Sequence, residues 1–138
     1  MAEVLAHIAV ATHYFHDTHA IRKLTNFDGY DWRAHMQRAQ AEERALQSKA
    51  QILEALRATG EAWAAFLDGV QDADMAEVVR FSPAAVPPQK TRFEMLLSVK
   101  EHEMHHRGQL MVIERMLGVT PHLTRQRQER LAQMQAST

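Results

Sequence analysis

Two helix-end motifs near the C-terminus constrain the fold of this chain more than any other feature. Thr91-Arg92-Phe93-Glu94 is a capping box, in which the first and fourth side chains bind the free amides of an opening helical turn. Gly118, with Pro121 beyond it, is typical of a helix C-terminus. The residues between these ends predict one long helix with a single inward-facing stripe: Met95, Val99, His102, His106, Gln109, Ile113 and Met116.

The rest of the sequence also predicts helices. Ala, Glu, Gln, Arg, Leu and Met dominate, and apolar residues do not alternate as they do in strands. We expect helices over residues 2–24, 48–70 and 123–134, and a weakly amphipathic helix or an ordered connection over residues 31–47. Residues 72–90 should be irregular because Ser82-Pro83 and Pro87-Pro88 disfavour regular structure. The expected fold class is therefore all-α, in a single domain spanning residues 1–138.

Composition and charge exclude several classes of function. The net charge is −1 and the pI about 6.8, so no basic surface for nucleic acid or an anionic membrane is indicated. No stretch approaches the roughly 18 apolar residues of a membrane span, and the first residues lack the pattern of a secretory signal. Cysteine is absent, which excludes disulfides, thiolate ligands and a cysteine nucleophile. We expect a cytoplasmic protein without nucleic-acid or membrane partners.

His102 and His106 lie four residues apart on the predicted inward stripe. At this spacing two side chains share one helix face, and both imidazoles can direct a nitrogen at the same transition-metal ion. Burying the pair without partners would be costly, and coordination removes that cost. We favour this interpretation over two core histidines bound to carboxylates across the bundle. His105 projects off the stripe and is expected to line a pocket or to support a ligand.

His7 is the outstanding candidate for a third metal ligand. It lies on the apolar stripe of the first helix, flanked by Leu5, Ile8 and Ala11. His13, His16 and His19 fall largely on other faces, where a solvated polar edge is the better interpretation for each. His13 and His16 could form a competing pair, but nothing apolar surrounds them.

Two motifs of this sequence resemble a known family. Leu5-Ala6-His7-Ile8-Ala9 and Glu101-His102-Glu103-Met104-His105-His106-Arg107-Gly108-Gln109-Leu110, followed by Leu117-Gly118, are similar to the DinB/YfiT superfamily of bacterial metal-binding proteins. In helix order the resemblance covers roughly the whole chain. It implies a DinB/YfiT-like four-helix bundle that holds one divalent metal through three histidines, which by position are His7, His102 and His106.

The resemblance also implies metal-dependent chemistry on a small thiol. Characterised members of the family are transferases and isomerases that use mycothiol, bacillithiol or glutathione. We therefore expect zinc or nickel with open coordination positions, a small-molecule thiol or electrophile as substrate, and activation of the thiol or of water. Residues 82–90 are expected to cover the substrate. His105 and Gln109 are the candidate catalytic groups, whereas Glu103 and Arg107 should form a surface pair.

Several alternatives are open from the sequence. The protein could be a non-catalytic metal-binding or stress-response bundle, or a metal-free helical module with hydrogen-bonded histidines. The family has a complete helix before the one that carries the first histidine, and here six residues precede His7. The absence of that helix would be explained by a shortened N-terminus. Alternatively, its place would be filled by residues 31–47, by the tail helix or by a partner subunit. We expect a homodimer, because an uncovered groove would expose apolar surface.

Overall fold

The computed structural model describes residues 1–136 as six helices and one short hairpin. The helices are α1 (Ala2–His16), α2 (Trp32–Ala45), α3 (Lys49–Asp68), α4 (Asp72–Met75), α5 (Arg92–Met116) and α6 (His122–Ala136). A π-helical turn, Asp17–Ile21, continues α1, and strands β1 (Val78–Arg80) and β2 (Gln89–Thr91) pair antiparallel. The predicted all-α fold class is confirmed. Within residues 1–136, no helix has the length and apolar character needed to traverse a bilayer.

The central helix of the bundle is α1. It packs along α3 and also contacts α2 and α5. Two of its four buried residues are alanines, Ala6 and Ala9, whose small side chains let neighbouring helix backbones approach closely. The core continues into the other elements through Phe27, Ala39, Ile52, Val79, Leu96 and Val99. Because α1 is surrounded by three helices, a side chain on α1 can meet side chains from α2 and α5 at one point.

Local capping explains where α3 and α5 begin. The Ser48 side chain accepts from the amide of Gln51, and the Gln51 side chain accepts from the amide of Ser48. Thr91 and Glu94 form the same reciprocal pair at the start of α5. After α5, Gly118 adopts a φ of 73°, the left-handed conformation that ends helices and favours glycine. These predicted helix ends are thus present.

Residues 72–90 differ from the irregular segment that we expected. They contain α4 and the hairpin, in which Val79 of β1 lies opposite Lys90 of β2 and is fully buried. The preceding chain also runs along β1, because the Phe27 amide donates to the Arg80 carbonyl (2.7 Å). Strands of three residues are too short to show an alternating pattern, and residues 81–88, with their prolines, separate the two strands.

The predicted inward stripe of α5 is buried only in its first half. Val99 is 5% exposed, whereas Met116 is 81% exposed. Within the described chain, the elements packed most closely against α5 are α1, β2 and α4, and none of the helices packs extensively against α6. The stripe is therefore correct where it faces α1 and wrong at its C-terminal end, where no packed element covers it.

Candidate metal centre

His7, His102 and His106 converge where α1 meets α5. His7 is on the second turn of α1, and the other two occupy successive turns of α5. The Nε2 atom of His102 lies 3.2 Å from Nε2 of His7 and 3.2 Å from Nε2 of His106. One nitrogen from each ring lies within 4.8 Å of the others. All three side chains are partly buried, so α1 and α5 bring together three ligand atoms from residues far apart in sequence.

Hydrogen bonds to the outer ring nitrogens orient two of these histidines. His7 Nδ1 donates to Glu43 Oε1 at 2.7 Å, since a carboxylate only accepts. His106 Nδ1 donates to the amide oxygen of Gln109 at 2.8 Å. The amide nitrogen of Gln109 in turn donates to His105 Nε2 at 3.0 Å, which is consistent with that amide orientation. Both Nε2 atoms therefore present a lone pair to His102.

This arrangement fits a metal ion better than a hydrogen-bonded cluster. The lone pairs of His7 and His106 face a single nitrogen of His102, which has at most one hydrogen to donate. A cation would satisfy all three nitrogens at once. Tetrahedral zinc–imidazole bonds place ligand nitrogens about 3.3 Å apart, close to the two distances of 3.2 Å. Three imidazoles, two of them oriented by a hydrogen bond at Nδ1, form a donor set suited to zinc or nickel.

His102 lies at the middle of the cluster and is held in its neutral form. Burial, together with the neighbouring His106, His7 and His105, lowers the pKa of His102 to about 4. A histidine with that pKa carries no proton on one ring nitrogen at neutral pH, which is the form that ligates metals.

Glu43 is a site residue that the sequence analysis missed. It comes from α2, and its side chain is 26% exposed beside a 34% exposed His7 side chain. Its neighbour Glu42 instead accepts a hydrogen bond from Tyr14 Oη at 2.8 Å. The two glutamates are adjacent in a polar helix, and nothing in the local pattern distinguishes them. Only the packing of α2 on α1 selects Glu43.

The two candidate catalytic groups lie on the outer side of the cluster. Gln109 bridges His105 and His106, and both Gln109 and His105 are exposed. His105 therefore contacts the cluster through Gln109 and through its own ring, which lies edge-on to His106 with 5.0 Å between the centroids. Glu103 and Arg107 form the exposed pair expected for them, with 3.7 Å between Oε1 and Nη1.

A cavity of about 280 Å³ opens beside the cluster, between α1, α2 and the residues that connect them. His7, His102 and Glu43 contribute to its wall. Most of the remaining wall is apolar or aromatic, and its ring side chains include Tyr14, Phe15, Phe27, Tyr30, Trp32 and His35. Residues 82–90, expected to cover the substrate, are not part of this wall. Instead, the segment that follows Phe27 contributes Tyr30 and Trp32 to the wall.

His19 is buried, contrary to the expectation of a solvated polar edge. It is 3% exposed, and its Nδ1 lies 2.7 Å from Nη1 of Arg92. Because a guanidinium only donates, Nδ1 accepts and Nε2 carries the hydrogen. Within the described residues this buried Nε2 has no hydrogen-bond partner. The expectation assumed a 3.6-residue repeat, which the π-helical turn Asp17–Ile21 interrupts by adding about one residue per turn.

His13 and His16 are not part of a comparable cluster. In residues 1–136, His7, His102 and His106 are the one group of three or more acidic, histidine or cysteine side chains with ligand spacing. The His13 side chain is 57% exposed and lies 4.0 Å from Glu42. His16 is partly buried and packs edge-on to Phe66. The competing pair considered from the sequence therefore lacks a third ligand.

In a comparison with protein families, the model of the DinB superfamily matches residues 1–110. That range includes α1, α2, α3 and the part of α5 that carries His102 and His106. The comparisons with curated proteins and with solved structures gave no match.

Proposed function

Because this chain belongs to the DinB superfamily, we propose that His7, His102 and His106 hold one divalent transition-metal ion in a metal-dependent thiol transferase. The observation that carries the proposal is the convergence of the three Nε2 atoms, two of them with lone pairs directed inward by Glu43 and Gln109. Zinc and nickel are the two metals that we propose, since both are suited to imidazole ligands.

The protein groups around the ligands have distinct roles in this proposal. When bound, a divalent ion lowers the pKa of a coordinated thiol or water and so supplies a nucleophile at neutral pH. Glu43 holds the Nδ1 hydrogen of His7 and thereby keeps Nε2 directed at the cluster. Gln109 does the same for His106. The apolar wall of the cavity keeps water away from the reacting molecule and strengthens electrostatic interactions there.

The cavity supports the transferase over the non-catalytic alternative. A metal that only held helices together would need a closed shell of ligands, as structural zinc sites have. Here three protein ligands lie at the edge of a 280 Å³ cavity, which leaves room for a small reactant beside the metal. A metal that served only to hold helices together would not require a cavity beside it.

Metal content tests the first part of the proposal. We expect about one zinc or nickel ion per chain in protein purified without chelators, and less than a tenth of that in His102→Ala and His7→Ala, because two imidazoles bind weakly. His13→Ala is the matched control, since His13 is an exposed histidine on the same helix as His7, and it should retain full metal. Elemental analysis gives the answer. Wild-type protein that takes up neither metal would refute the proposal.

Thiol-dependent turnover tests the second part. The metal-loaded protein is mixed with chlorodinitrobenzene and, in turn, glutathione, bacillithiol or mycothiol. A C–S bond forms, the C–Cl bond breaks, and chloride and a proton are released. We expect formation of the thioether, followed by absorbance, to fall at least 100-fold in His102→Ala and to be unchanged in His13→Ala. Full metal content without turnover on any thiol would leave the protein in the non-catalytic class.

A further inference from the structure

We propose that the cavity beside the metal centre binds a small, neutral, aromatic molecule, whose ring is held by the aromatic wall next to His7 and His102. The identification of this molecule as the electrophilic substrate rests on the proposed function. The binding site itself rests on the cavity, its walls and their charge, which are independent of metal.

The wall of the cavity is built to contact a flat ring. Phe27 and Trp32 stack with their centroids 5.4 Å apart, and Tyr30 lies 4.8 Å from Trp32. The His35 ring continues this group, because it lies 5.7 Å from Trp32 and meets the Tyr14 ring edge to face at 4.6 Å. These rings hold one another in place, so a bound ring would find its partners already ordered. Edge-on and offset-stacked contacts between aromatic rings are favourable beyond the area that they bury.

Charge on the wall favours a neutral occupant. Glu43 is the one acidic or basic side chain on this wall apart from the histidines, and its carboxylate is engaged by His7. A cationic ligand would therefore lack a free carboxylate, and an anionic ligand would find no lysine or arginine on the wall. His35 is hydrogen-bonded to Tyr30 Oη at 3.0 Å, so its Nδ1 is also occupied.

The size and position of the cavity limit the ligand further. A volume of about 280 Å³ lies at the small end of the range for small-molecule sites, which suits one or two rings. His7 and His102 are on the wall, so a molecule that fills the cavity lies against the ligand cluster. His19, also on the wall, carries the buried Nε2 hydrogen without an acceptor. The Nε2 atom itself has almost no accessible surface, so the aromatic walls and not this donor define the ligand.

The tryptophans of the chain provide a direct assay. The sequence has two, and Trp32 lines the cavity whereas Trp63 does not. In Trp63→Phe the remaining fluorescence reports on the cavity, and m-dinitrobenzene is a neutral aromatic quencher with oxygen acceptors. We expect saturable quenching with one site per chain in Trp63→Phe. In Trp32→Phe we expect only the weak, non-saturating quenching caused by collisions.

Two further variants, each made in the Trp63→Phe background, locate the binding site. Ala11 lies one turn after His7 and lines the cavity, so Ala11→Leu should fill space and weaken quenching at least tenfold. The matched control is Ala58→Leu on an exposed face of α3. If Ala11→Leu does not fold, Met36→Glu places a charge on the wall at a position that is 49% exposed. Its control is Met104→Glu, at a residue of α5 that is 47% exposed and off the wall.

The titrations are made on chelator-treated and on metal-loaded protein. Non-saturable quenching of Trp32, or equal affinity in the wall variants and their controls, would overturn the inference while leaving the metal proposal intact. Saturable binding that Ala11→Leu or Met36→Glu weakens, in a protein that takes up no metal, would support the aromatic site and refute the proposed function. The two failures are thus distinguishable.

Discussion

At the scale of single residues, hydrogen bonds on one side of each imidazole decide what the other side can do. Glu43 and Gln109 take the Nδ1 hydrogens of His7 and His106 and leave the Nε2 lone pairs free. Arg92 does the reverse for His19, because its guanidinium donates to Nδ1 and leaves a hydrogen on Nε2. The first arrangement suits a cation, and the second suits an acceptor. Residues of the same type therefore have different chemistry in adjacent parts of one bundle.

The pH dependence of stability should report the burial of His19. Its pKa is about 4 in the folded chain against 6.5 when exposed, so the unfolded chain binds a proton between these values that the folded chain does not. Stability then falls as the pH decreases through this window. We expect wild type to lose about 2 kcal/mol more than His19→Gln between pH 7 and pH 5.

Urea unfolding of chelator-treated protein at several pH values measures this difference. Glutamine keeps an oxygen acceptor for Arg92 but does not titrate, and the other histidines are common to both proteins. Parallel stability curves for wild type and His19→Gln would show that His19 is accessible to protons in the folded state.

At the scale of elements, the start of α5 sets the position of two ligands. Thr91 accepts from the Glu94 amide at 3.2 Å, and the Glu94 carboxylate accepts from the Thr91 amide at 2.6 Å. Arg92, in the first turn, is 4% exposed and pairs with Glu77 as well as His19. His102 lies about three turns later. Capping and the buried arginine together hold the N-terminal half of α5 against α1 and the hairpin.

Removal of the Thr91 cap should weaken the fold without removing the ligands. We expect Thr91→Ala to reduce the free energy of unfolding by about 1 kcal/mol, because an amide of the first turn loses its acceptor. Metal content should not change. The control is Thr12→Ala within α1, where the hydroxyl binds the Ile8 carbonyl of its own helix, so that little stability should be lost. Urea unfolding measures the loss of unfolding free energy in both variants. Equal losses in the two variants would contradict the prediction.

At the scale of the whole molecule, the three-histidine cluster joins elements that are distant in sequence. His7 and His102 are 95 residues apart, and Glu43 adds α2 to the same network. A bound ion would thus connect the first helix with the last long one. The second half of α5 is exposed in the described chain, with Val112 54% and Met116 81% exposed. The homodimer expected from the sequence stays a prediction.

Metal removal should lower the thermal stability of the whole bundle. An ion that binds only the folded chain stabilises it by about 4 kcal/mol when present at 1,000 times its Kd. We therefore expect the Tm of wild type to fall by more than 5 °C after addition of a strong chelator. His102→Ala should show no shift. A chelator effect of equal size in wild type and in His102→Ala would mean that the metal acts elsewhere.

The sequence by itself determined that the fold is helical. It also determined which side of α5 faces α1. Each of these features depends on residues within a few positions of each other. They are the caps at Ser48 and Thr91, the helix end at Gly118, and the spacing of His102 and His106. Such local patterns reflect the backbone geometry of a single helix. The selection of His7 from four histidines in the first segment also followed from its apolar neighbours, and the structure places it beside His102.

Only the tertiary structure decided what surrounds the three histidines. The choice of Glu43 over Glu42, the aromatic wall and the three-residue strands all depend on contacts between segments that are distant in sequence. The burial of His19 depends on a local break in helix periodicity and on Arg92, 73 residues later. Contacts of this kind are set by how helices pack, and no local pattern of residues encodes which side chains will meet.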